Sequence, residues 1–152
     1  MDLVIKAWLM FDSRKNCQLI LACPNIPQEI LQKIKNENIQ VITKAPLSLK
    51  EKNQLLNVSH VMISPLHVDG GSNTIEGLEC GLPIITMRAQ RSFVRKTNGW
   101  VVDVPFYFYD EGYGIEWPTW DVFWRLLDDA KEKNEFDITV QGFVNAFEEI
   151  EK

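Results

Sequence analysis

The apolar and polar positions divide the chain into short elements of two kinds. From Asp2 to Phe11, the residues Val4, Ile5, Ala7, Trp8 and Phe11 fall on one side of a helix. Gln18 to Ala22 is a continuous apolar run of strand length, the mark of a strand buried on both faces. Pro27 suits the first turn of a helix that turns Ile30, Leu31 and Ile34 inward. Ile39 to Thr43 reads as a second strand. Ser48 and Glu51 form a capping box, so a helix starts there and carries Leu55 and Leu56. His60 to Ser64 is a third strand, ended by Pro65; Pro83 to Thr86 is a fourth and Trp100 to Val104 a fifth. Strand and helix alternate, which predicts an α/β fold with a parallel sheet covered by helices on both faces.

The end of the chain changes character. Residues 106–124 are dense in Phe, Tyr and Trp. Two C-terminal helices follow in the pattern. One spans Trp120 to Lys133; the next is capped by Asp137 and shows Val140, Phe143, Val144, Phe147 and Ile150 at helical spacing. The aromatics either pack against the sheet or line a ligand site. The reading is one domain over 1–152, with a sheet core at 1–104 and an aromatic, acidic helical tail at 105–152.

Charge is divided unevenly. The net charge is -5, yet residues 1–102 carry 12 Lys and Arg against 8 Asp and Glu, whereas 103–152 carry 4 against 13. The mildly basic part is compatible with a small anionic ligand. It lacks the clustered Lys and Arg of a nucleic-acid surface, so no nucleic-acid partner is expected. No apolar run has the length of a membrane span, and the N-terminus has no signal-peptide pattern, so a cytoplasmic location is expected. Cys17, Cys23 and Cys80 match no zinc spacing, and Cys17 and Cys23 adjoin an apolar run where Cys acts as a small hydrophobe. Neither His60 nor His67 pairs with Cys, so no metal is expected.

The chemistry concentrates in VDGGSNTIEGLECGLP, residues 68–83. Gly70 and Gly71 let a ligand approach the main chain after the third strand. Ser72, Asn73 and Thr74 are natural helix caps. The free N–H groups at a helix start, with the helix dipole, favour an anion such as a diphosphate. With Asn73 as cap, Glu76 completes a capping box; as a ligand group it suits a sugar diol better than a phosphate, because like charges repel. His67 is either an exposed loop residue or a hydrogen-bond partner for phosphate or sugar. Arg88, Arg91, Arg95 and Lys96 form the solvated face of a short helix or add positive charge to the site.

The run HVMISPLHVDGGSNTIEGLECGLPIIT resembles the signature of the group 1 glycosyltransferases, retaining enzymes built of two Rossmann domains. The matching parts are Ser64-Pro65, Asp69-Gly70-Gly71, Ser72-Asn73, Glu76-Gly77, Gly81-Leu82-Pro83 and Ile84-Ile85, within a broader likeness over residues 3–104. The resemblance implies a Rossmann-like domain that binds the donor, a UDP or GDP sugar, for transfer to an acceptor hydroxyl in glycan biosynthesis. It places the nucleotide ribose on Glu76 and the diphosphate on the main chain of Gly70, Gly71 and Ser72. The donor sugar falls near Asp69, and the base lies near Thr43, Lys44 and Ala45. Asp69 and Glu76 are the catalytic candidates. Asp69 stands one residue short of the family's spacing; a full count back from Glu76 lands on Val68. Glu79 stands where the family has a small residue. The family needs no metal and no cofactor for donor binding.

The family's domain begins with a strand and a basic Gly-Arg and Lys-Gly loop that this chain does not carry. The sheet is therefore expected to lack its usual first strand. The acceptor-binding N-terminal domain is expected as a separate part, either upstream or on a second chain. Alone, the chain would be inactive, and peripheral membrane contact would come through the full-length enzyme. The alternative is a non-catalytic nucleotide-binding or protein-interaction module whose acidic tail serves a partner.

Overall fold

The computed structural model describes residues 2–23, 26–35, 37–44, 46–65, 72–87, 93–102 and 132–151. The elements are α1 (Asp2–Met10), β1 (Leu19–Ala22), α2 (Gln28–Ile34), β2 (Ile39–Ile42), α3 (Leu49–Val58), β3 (Met62–Ser64), α4 (Ser72–Glu79), β4 (Ile84–Met87), β5 (Gly99–Val102) and α5 (Glu135–Glu151). A 3-10 turn at Asp12–Asn16, not read from the sequence, joins α1 to β1. The expected helix at 120–133 and the aromatic run at 106–124 lie outside the described residues, apart from the two last positions of that helix.

All strand pairs are parallel, but among the described residues they form two sheets. One is β1-β2, with Leu19 opposite Ile39; the other is β3-β4-β5, with Met62 opposite Ile84 and Ile84 opposite Gly99. β4 lies between two strands and is buried along its whole length. β1, expected to be buried on both faces, is buried only at Leu19; Ala22 is exposed. The difference follows from its second edge, which has no partner strand among the described residues. Leu19 and Cys23 donate their N–H groups to Asn38 and Ile42 beside β2. In a parallel ladder the alternate residues, Ile20 and Ala22, then point their main-chain groups away from β2. The Met62 N–H is taken by Pro83, so Ile63 likewise points away from β4.

Two helical layers cover the strands. On one face α1 and α5 bring Val4, Ala7, Trp8, Phe143, Val144 and Phe147 onto Leu19, Ile85, Met87 and Val102. Trp8, Phe11 and Phe147 meet as a tilted aromatic cluster with ring centroids 5.7–6.0 Å apart. Gly142 allows α5 to sit closely on β5, since a Cβ there would lie 2.7 Å from Val102 Cγ1. On the other face Leu56 of α3 and Leu78 of α4 meet Leu82, Ile84 and Val94.

Local chemistry sets the helix ends. Ser48 and Glu51 form the expected capping box at the start of α3. Pro27 is the residue just before α2, and its carbonyl accepts from Ile30 and Leu31. α4 ends in a Schellman turn: Leu82 N–H reaches the Gly77 carbonyl, Gly81 N–H reaches Leu78, and Gly81 takes φ 76°. α5 starts at Glu135, ahead of the expected cap. Asp137 lies in its first turn and forms an ion pair with Lys6 of α1 instead. Cys17, expected to act as a small hydrophobe, is exposed, while Cys23 is half-buried; Cys80 is exposed as well, and all three are free thiols. Among the described residues no helix is long and apolar enough to cross a membrane.

Candidate functional site

α4 begins just beyond the carboxyl end of β3, and a buried polar group fixes it there. The Thr74 hydroxyl donates to the Ser64 hydroxyl at 3.1 Å, and the Thr86 hydroxyl donates to the Ser64 carbonyl at 3.0 Å. Ser64, Thr74 and Thr86 are all buried. Gly77 keeps the helix close to the sheet, because a Cβ there would stand 2.5 Å from Met62 Sδ and 2.8 Å from Ile84 Cδ1. The first turn of α4 is thus held against β3 and β4, at the end of a parallel sheet where ligands commonly sit.

Of the residues singled out in the sequence, Ser72, Asn73, Thr74 and Glu76 come together on this turn. Ser72 is exposed at the first helical position. Asn73 is not the cap: the helix starts one residue earlier, and its Oδ1 accepts from Lys52 Nζ at 2.9 Å. Thr74 turns its hydroxyl to Ser64, toward the sheet and away from a ligand at the helix start. Glu76 forms no capping box; its carboxylate is paired with Lys52. Glu79 is exposed in the last turn of α4. His67, Val68, Asp69, Gly70 and Gly71 lie outside the described residues.

Lys52 is the group that sequence reading missed. It projects from α3 and bridges Asn73 and Glu76. Glu76 Oε2 is shielded from solvent, and the Lys52 ammonium is its ion-pair partner among the described residues. The Glu76 side chain as a whole remains 39% exposed. No spacing signal could have revealed the pairing, because it depends on how α3 and α4 lie side by side.

Lys44 is paired with α3. Its ammonium bonds Glu51 Oε1 at 2.6 Å, and Ser48 donates its hydroxyl and N–H to Glu51 Oε2. The Lys44 bond foremost, then those from Ser48, holds the Glu51 carboxyl down at about 2. Both residues stand at the rim of an open depression of about 340 Å³ walled by Ile42, Leu47, Leu55 and Val58. Glu51, Gln54, Leu55 and Val58 form one stripe of α3, and Lys52 is the neighbour that turns to α4.

The basic residues after β4 do not form the expected short helix where they are described. Arg95 and Lys96 are exposed at a turn closed by Asn98, which accepts the Arg95 N–H at 2.6 Å; Arg88 and Arg91 lie outside the described residues. Among the described residues no three His, Cys, Asp or Glu side chains gather as a metal site. No protein-family model matches the chain, and no curated protein matches it.

Proposed function

We propose that this chain is the donor-binding part of a glycosyltransferase, which moves a sugar from a UDP or GDP sugar to an acceptor hydroxyl with retention. The observation that carries the reading is Glu76: a carboxylate held on the first turns of a helix that starts at the carboxyl end of a parallel strand. The N–H groups at the start of α4 would take the diphosphate and stabilise the charge it develops as it leaves. Glu76 would accept the ribose diol. Lys44 and the apolar depression beside it would receive the base.

Among the described residues β1 and β3 each have an edge without a partner strand, which supports the view that the sheet is completed by another segment, attached to the acceptor-binding domain or to a second chain. The chain alone would then bind donor nucleotide without transferring sugar. Such an enzyme draws on nucleotide sugars of the cytoplasm, with no nucleic acid among its partners.

The test is isothermal titration of the folded chain with uridine and guanosine diphosphates. Heat of binding at submillimolar ligand is expected, and its absence at millimolar ligand overturns the reading. In the same experiment Glu76→Ala should weaken the nucleoside diphosphate and spare inorganic pyrophosphate, which has no ribose. Equal loss of both ligands would remove the diol role.

A further inference from the structure

We infer that Lys52 is a positioning residue of this site, cancelling the charge of Glu76 and fixing its carboxylate so that a diphosphate and a ribose can be held side by side. The inference deepens the reading above and rests on it. A carboxylate on the first turns of a helix ordinarily competes with an anion for the same positive end of the dipole. Here that competition is removed by a cation from a different helix.

Three observations carry the assignment. The Lys52 ammonium is the partner of Glu76 Oε2, which is shielded from solvent. The same ammonium bonds Asn73 Oδ1 at 2.9 Å, so it is anchored at two points of α4. Asn73 and Glu76 lie three apart in the helix, on one face, and Lys52 ties that face to α3. With Oε2 committed to Lys52, the other oxygen of Glu76 is left to accept a hydroxyl. A carboxylate free to rotate would offer a diol no fixed acceptor, and an unpaired one would repel the phosphate. Lys52 therefore acts on ligands of two kinds through one contact: on phosphate by charge and on ribose by orientation.

The experiment is a binding cycle on the folded chain, with pyrophosphate and uridine diphosphate as probes and the melting temperature of each variant as a check on folding. Lys52→Met should weaken both probes about three- to tenfold, the range of a partly exposed charge pair. Adding Glu76→Gln to Lys52→Met should restore pyrophosphate to near the original affinity, because the unmasked charge is gone. The nucleotide should stay weak, because the fixed acceptor is gone as well. Lys52→Arg should keep most of both affinities. A Lys52→Met chain that binds both probes as before overturns the inference and leaves the donor reading standing. So does a loss of pyrophosphate that Glu76→Gln fails to rescue, which would mark a purely structural tether. An unmodified chain that binds neither probe overturns the donor reading and this inference together.

Discussion

Gly99 and Ile84 face each other across β5 and β4 so closely that a Cβ on Gly99 would stand 2.0 Å from the Ile84 carbonyl oxygen. The obstacle is main chain, so no rotamer change relieves it. Gly99→Ala should destabilise the fold by about 1–3 kcal/mol, the range of overpacked sites, and shift the urea midpoint downward. Gly81→Ala meets open space and carries only the cost of its φ of 76°, about 1 kcal/mol. The order of the two midpoints is the check.

The hydroxyl pair of Ser64 and Thr74 predicts a second effect on stability. Thr74→Val keeps the shape and removes the donor at a fully buried position. A loss of about 1–2 kcal/mol is expected, and Thr74→Ser should recover part of it. If the pair also fixes the start of α4, pyrophosphate affinity should fall with it in the same variant.

Glu51 makes a prediction about pH. Its carboxyl is lowered from 4.5 to about 2, first by Lys44 and then by Ser48. A depressed carboxyl contributes stability above its unfolded value and loses it as pH falls through the folded one. The window is therefore between about 4.5 and about 2. The pair is exposed, so salt should narrow it. Carbon-detected NMR titration should place Glu51 below the ordinary carboxylates. Lys44→Met should raise its midpoint, and an unchanged midpoint would discount the ion pair.

The edge of β1 that has no partner strand among the described residues yields a fourth prediction. Parallel crossovers are almost always right-handed. α3 and α4, the helices that precede and follow β3, lie on one face, and α1 lies on the other. A strand joined to the start of α1 therefore belongs beside β1, on the side away from β2. Fusing an extended apolar segment ahead of Asp2 should slow hydrogen exchange at the Ile20 and Ala22 amides. A control segment interrupted by prolines should not. If neither segment protects these amides, the edge is not the place of the added strand.

Much of this fold could be read directly from the pattern of residues. The apolar runs around Leu19, Ile39, Ile63, Ile84 and Val101 became strands, and the Ser48–Glu51 box caps α3 as expected. These features depend on neighbours in the chain, so the chain order reveals them. What the pattern missed depends on distant partners. Asn73 looked like a cap because Glu76 follows three residues later, but Lys52 of α3 claims both side chains. Asp137 looked like a cap too, and Lys6 draws it into a pair across the α1–α5 contact. Cys17 adjoins an apolar run yet is exposed, since the 3-10 turn carries it outward before β1 begins. Of the candidate residues, Ser72, Asn73, Thr74 and Glu76 were legible as neighbours on one helix start; Lys52, which pairs with two of them, was not.

The β1 edge, without a partner strand among the described residues, has one more consequence. A row of free main-chain groups is a template that any extended chain can copy, including another molecule of the same protein. β1 limits this hazard by its brevity, at four residues. Even so, self-association of the chain should rise with concentration and fade if an added strand covers the edge. Solubility would then report whether that edge is covered.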